Sequence, residues 1–330
     1  MRQVKFEFVL RADQPLAHHS ESFGNQAIIA RRKVRQPDGG WAHVPIVSGD
    51  AMRHGMRESS AYVYLDAAGL LADGGLSESA LRLLFAGGMV TGSSGGVSKL
   101  NDYREMCELV PPLALFGGCA QNRVVPGRLW VDDAVLICAE MAHMLPEWAI
   151  EVARADGADL ETCRSHVEEV QRVRMDPILD PGKRQLLTAG AREHVERRML
   201  ASENASEMDD VKAKEDSKST MMPRSFERVV QGSLFYWSVT ATVYSDLDDD
   251  TFKVACAAFL ADARVGGKRG TGHGLLSPIT GRNVQLARPA ERTETIRADQ
   301  LSTMRVGEVF RKHVSERQER IKTFLQAVEA

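Results

Sequence analysis

Between Phe235 and Val243 the side chains alternate without interruption: Phe235, Trp237, Val239, Ala241 and Val243 take one face, and Tyr236, Ser238, Thr240 and Thr242 the other. A period of two sustained this long fits a strand and no helix, and the apolar face must be covered by another layer. The next segment supplies the cover. SDLDDD caps a helix expected from Thr251 to about Asp262, with Phe252, Ala255, Cys256, Phe259 and Leu260 on one side. A glycine-rich loop comes next, and then a second strand.

The amino-terminal end reads the same way. Val4, Phe6, Phe8 and Leu10 share a face of a first strand, with Lys5 and Glu7 opposite. LAHHSESFGNQ reads as a polar loop, followed by a second strand from about Ala27 to Val34 and a third extended piece from Trp41 to Val47. Ser48 or Asp50 caps a helix beginning at Ala51, with Met52, Met56, Tyr62 and Leu65 as its buried stripe. Strand, helix and strand at each end predict an α+β fold, a ferredoxin-like or RRM-like βαββαβ core interrupted in its middle. The core is assigned to residues 1–68, 111–141 and 226–290 and holds the apolar block PPLALFGG and the strand-like PGRLWVDDAVLICAEM. Residues 69–110, with the glycine- and serine-rich MVTGSSGGVSKL, form one inserted region. Residues 142–225 form a second, with charged helical stretches (TCRSHVEEVQRVR; REHVERRMLASENASEM), the solvated KAKEDSKS and a thumb-like arm. Residues 291–330 close the chain as a helical segment whose packing face is Val306, Val309, Phe310, Val314, Ile321 and Phe324.

The loop RVGGKRGTGHG, Arg264 to Gly274, carries five glycines and three full positive charges in eleven residues, with no acid. Glycines such as Gly266 and Gly267 let peptide N–H groups approach a ligand, while Arg264, Lys268 and Arg269 supply charge. An anion cradle and a glycine-rich hairpin on a solvated surface both fit. The loop lacks the GK[ST] ending of a nucleotide-triphosphate loop and does not complete GxGxxG, so the repeated phosphates of a polynucleotide are the better ligand. Arg53 and Arg57, four apart on one helix face, are either a solvated surface or a phosphate clamp. Met221, Met222 and Phe226 lie among Arg224 and Arg228 and could form a partner surface, a local cluster or wedges between stacked bases.

Composition narrows the rest. At 330 residues, 43 % hydrophobic and 26 % charged, the chain reads as globular. It has no apolar run of membrane-spanning length and charges interrupt its amino terminus, so a cytoplasmic protein without membrane contact is expected. Five cysteines without a CxxC pair argue against a disulfide framework or a zinc site, and no cofactor or metal is expected. A formal charge of -3 is low for a nucleic-acid binder, but basic residues cluster, as at Arg31, Arg32, Lys33 and Arg35.

Four blocks, in order, carry a resemblance: VPIVSGDAMRHGMR, PPLALFGG followed by PGRLWVDDA, MMPRSFERVVQGSLFYWSV, and VGGKRGTGHG. Together they resemble the repeat-associated mysterious protein superfamily. Within it they are similar to the Cas seven backbone subunits that hold guide RNA in multi-subunit CRISPR effector complexes, with type IV systems the nearest pattern. The resemblance implies that Ser48, Arg53 and Arg57 touch the guide backbone, and that Arg264, Gly266, Gly267, Lys268, Arg269, His273, His18 and His19 line the same channel. It implies a thumb at Met221, Met222, Arg224 and Phe226 that folds over the guide and displaces bases. The implied partners are crRNA, further copies of the chain stacked head to tail, other effector subunits, and target DNA or RNA paired with the guide.

Type III relatives cleave with an aspartate after the first strand, but HHSESFGNQAI contains none and Asn25 is the nearest candidate, so binding without cleavage is expected. Two other readings compete. One is an RNA-processing endoribonuclease using His18 and His19 as acid and base. The other is an interaction module with no nucleic-acid role.

Overall fold

The computed structural model describes residues 1–72, 75–88, 96–97, 100–120, 123–157, 160–175, 180–205, 221–287 and 290–328. They divide into two compact units, one of residues 1–20, 29–168 and 228–330, the other of residues 21–28 and 169–227.

The larger unit is built on β1 (Arg2–Ala12), β2 (Arg31–Arg35), β3 (Trp41–Val47), β4 (Leu129–Val131), β5 (Ala134–Leu136), β6 (Leu234–Val243), β7 (Ala263–Arg264), β8 (Leu275–Ala287) and β9 (Ala290–Ile296). The described residues make these a nine-stranded sheet in the order β7-β8-β1-β6-β5-β3-β2, with β9 added to β8 and β4 to β6. β1 is central and antiparallel to both neighbours, placing Phe8 beside Trp237 of β6 on one side and Gly281 of β8 on the other.

Alternation decides which face is covered. Val4, Phe6 and Phe8 of β1 lie across from Ala241, Val239 and Trp237 of β6, and all are buried. On them pack α1 (Gly49–Ala67), through Met52 and Met56, and α3 (Asp246–Leu260), whose Phe252 stacks on Phe6 at 4.9 Å and whose Phe259 meets Trp237 edge-on at 5.7 Å. Between them in sequence, α2 (Pro111–Phe116) is buried at every position. Along the chain β1, α1, β5, β6, α3 and β8 give strand, helix, strand, strand, helix, strand, laid out as β8-β1-β6-β5. The expected α+β class is what the chain forms. On the other face Tyr236 meets Trp148 of the helix Glu147–Ala155. A second apolar cluster joins Tyr64, Leu83, Phe310, Ile321 and Leu325, tying α1 to Glu78–Ala86 and the carboxy-terminal helices.

The smaller unit contains most of a four-stranded sheet of Val167–Met175, Met221–Val229, Gln26–Ile29 and His19–Phe23, in that order, together with the helix Ala189–Ala205. Phe226 is 3 % exposed there, beneath the Arg172 guanidinium at 5.5 Å.

Several local expectations are corrected. LAHHSESFGNQ is not a loop throughout, because His19–Phe23 is a strand turning at Gly24. The strand expected over Ala27 to Val34 breaks at Ala30, and its halves join different sheets. Part of TCRSHVEEVQRVR is strand rather than helix, since the strand Met221–Val229 pairs beside it. α3 begins at Asp246 behind Ser245, which places the aspartates of SDLDDD within its first turns. Tyr62, Val306 and Val309, read as buried, are exposed, while Tyr64 fills the core and donates to the Leu109 carbonyl. Most of MVTGSSGGVSKL and all of KAKEDSKS lie outside the described residues. No helix among the described residues is long and apolar enough to cross a membrane.

Candidate nucleic-acid interface

The glycine loop folds back on the segment Pro15–His18. The Gly267 N–H donates to the Ala17 carbonyl at 2.7 Å and the Gly274 N–H to the Pro15 carbonyl at 3.0 Å. Two glycines are required by this closeness. Gly266 has φ +77° and a Cβ there would stand 2.8 Å from the Ala17 oxygen; at Gly274, φ +94°, it would stand 2.2 Å from the Val265 oxygen. Lys268 is the exception in the loop, a side-chain-bearing residue held at φ 60°.

The loop's cations have internal partners. Arg264 pairs with Asp262 at 2.9 Å and reaches Gln14 at 3.5 Å. Arg269 donates to the Gly266 carbonyl at 3.3 Å and stands 3.8 Å from Glu58 of α1. His273 is 2 % exposed. Its Nδ1 lies 3.0 Å from the Thr271 carbonyl, so that nitrogen carries the proton, and its Nε2 accepts from Arg228 at 3.3 Å. Arg228 is in turn held by Glu168 at 2.7 Å.

Pro15–His18 continues to the start of α1. Ser48 is the N-cap, its hydroxyl accepting from the Ala51 N–H at 3.3 Å, and its own N–H donates to His18 Nε2 at 3.2 Å. His18 is thus neutral, with the lone pair that a general base needs already engaged. Burial, and then His19, lower its pKa, with Asp133 opposing. Asp133 accepts from the Gly49 N–H and from Arg32, each at 2.7 Å.

Arg53 and Arg57 share a face, as their spacing predicts, and that face looks inward. Arg53 donates to the carbonyls of Leu129 at 3.0 Å and Phe116 at 2.6 Å; Arg57 donates to Phe116 and Gly117, both at 3.1 Å. Burial, and then the neighbouring Arg53, pull the Arg57 pKa down to about 10, so it stays charged at neutral pH. Both act as braces that fix α2 and its glycine end to α1.

Of the residues singled out in the sequence, Ser48, His18, Gly266, Gly267, Arg264, Arg269 and His273 are linked by contacts to Gln14–His18 or α1 or by their place in one loop. Arg53 and Arg57 face α2. Arg224 and Phe226 belong to the smaller unit, and the side chains of Met221 and Met222 lie outside the described residues. Sequence reading missed Asp133 and the place of Arg228 beside His273. Neither had a local signal, because both depend on contacts far along the chain.

The layers and the loop define an α+β protein with two helices on one face of an antiparallel sheet. Comparison with solved structures finds the same fold in a chain of a Type IV-B CRISPR complex, at a TM-score of 0.50 and 17 % identity, covering 87 % of this chain and 92 % of that one. No protein-family model matches the chain, and no curated protein matches it by sequence.

Proposed function

We propose that this chain is a guide-RNA-binding backbone subunit of a type IV CRISPR effector complex, assembling head to tail along the crRNA and holding it for pairing with target nucleic acid, without cleaving it. The observation that carries the reading is the extent of the fold likeness, which takes in nearly all of both chains and so includes the peripheral elements as well as the sheet. The ordered sequence blocks independently lead to the same class. Of the cations expected along the guide, Arg264, Lys268 and Arg269 contact phosphates from the glycine loop, while Arg53 and Arg57 shape the wall behind it. The strained backbone of Lys268, at a position where glycine costs nothing, supports a use for its side chain. Met221 and Met222 belong to the arm that reaches over the guide. Base pairing reads the target, so the subunit grips backbone and shape and is indifferent to guide sequence.

The test is purification from cells that express a repeat–spacer array. The expected result is bound RNA of uniform length carrying repeat-derived sequence, with no shorter products on metal-free incubation of repeat RNA. Cleavage abolished by His18→Ala with His19→Ala would make the chain a processing ribonuclease instead. Absence of bound RNA would favour a plain interaction module.

A further inference from the structure

The β2–β3 hairpin lies at the end of the main sheet opposite β7, far in strand order from the glycine loop. Its register sets Lys33 across from His43 and Arg35 across from Trp41, with Arg31 across from Pro45. Side chains at cross-strand pairs share a face, so Arg31, Lys33 and Arg35 form a row of cations along one strand, with Trp41 and His43 beside them on the other. Val34 and Val44 point to the opposite face and are buried, which anchors the hairpin to the core. Trp41 is 56 % exposed. The Lys33 ammonium sits 4.5 Å from its ring centre and the Arg35 guanidinium 5.7 Å. Among the described residues neither cation meets a carboxylate.

An exposed indole bordered by two such cations has little value to the fold, since a cation–π contact in water contributes only about 0.5–1 kcal/mol. It does match what a single-stranded nucleic acid presents, a flat base beside a phosphate. We infer that this hairpin face is a second binding surface for single-stranded nucleic acid, with Trp41 as a stacking platform and Lys33 and Arg35 as phosphate contacts. Stacking on one ring tolerates any base, so the surface is insensitive to sequence, and it requires unpaired bases. The inference deepens the guide-binding reading and rests on it, but it adds a contact region remote from the glycine loop along the sheet.

The experiment measures binding of a fluorescent oligouridine RNA, the equivalent DNA single strand and an RNA duplex to the full chain and its variants across a salt series. Trp41→Ala is expected to weaken single-strand binding by about fivefold to a hundredfold, the range for loss of one stacked base, and to leave duplex binding nearly unchanged. Trp41→Phe retains most of the affinity. Lys33→Ala with Arg35→Ala reduces the steepness of the log-affinity against log-salt line by about 1.4, from roughly 0.7 per phosphate. Thermal unfolding of each variant stays within a few degrees of the wild type, because the altered side chains are exposed and lose only cation–π contacts. Equal losses on RNA and DNA identify a general single-strand surface, and a loss on RNA alone identifies a guide contact; either supports the inference. Wild-type affinity and slope in all variants overturn it, as does unchanged RNA binding with impaired self-association, which would make the face a protein contact. A wild-type chain that binds no RNA overturns both this inference and the guide-binding reading.

Discussion

The glycine loop and the β2–β3 hairpin are both rich in cations, and the fold treats them oppositely. In the loop Arg264 returns to Asp262 and Arg269 approaches Glu58, while the N–H groups of Gly267 and Gly274 are spent on Ala17 and Pro15. In the hairpin Lys33 and Arg35 rest on an exposed indole, and no acid among the described residues neutralises them. Charge counted along a sequence therefore says little about charge offered to a ligand. What decides it is whether the backbone path brings acids within reach: Arg264 and Arg269 must exchange Asp262 and Glu58 for a phosphate, whereas Lys33 and Arg35 have no carboxylate among the described residues to give up.

Loop and hairpin differ most in what a substitution at Gly274 or Trp41 costs the fold. Gly274→Ala puts a side chain into a left-handed backbone and onto the Val265 oxygen, and is expected to cost about 3 kcal/mol in urea unfolding, whereas Trp41→Ala in the hairpin loses only two exposed cation–π contacts and costs about 1 kcal/mol. Equal costs would mean that the loop is as tolerant as an open surface.

Next in size, replacing Arg53 and Arg57 together with Met removes four carbonyl contacts and is expected to lower stability by about 2 kcal/mol while leaving the salt dependence of RNA binding unchanged. A flatter salt line with an intact fold would turn these braces into phosphate contacts. Lys268→Gly separates fold from ligand within the loop itself. It relieves a left-handed side-chain-bearing residue and is expected to raise stability by up to about 1 kcal/mol while weakening RNA binding. Unchanged RNA affinity in this variant would remove Lys268 from the proposed phosphate contacts.

The smallest effect is a gradual one with pH. His18 has a folded pKa below its ordinary 6.5, so the unfolded chain binds more protons and the stability due to its neutral form is lost as pH falls below that value. His166 is lowered mainly by burial and acts in the same direction. Urea midpoints measured downward from about pH 7.5 are expected to fall below about 6.5, and His18→Ala to reduce that dependence. A midpoint that rises on acidification contradicts the neutral cap.

Much of the sheet was legible because alternation is local. Phe235 to Val243 and Val4 to Leu10 declare both strand and buried face, and Ser48 marks a helix start that the structure keeps. The smaller unit was not legible, since Val167–Met175 becomes a strand only through its pairing with Met221–Val229, far along the chain. At the site, the spacing of Arg53 and Arg57 gave their shared face but not its direction, which depends on α2. The run Arg31 to Arg35 was visible as charge. Its meaning needed the register that sets Trp41 beside it.

Guide binding of the kind proposed requires that copies of this chain add head to tail along one RNA. Mass measurement of the complexes formed on guide RNAs of increasing length tests it most directly. The expected result is a regular increase by whole copies as the RNA lengthens; a single copy bound at every length would contradict it.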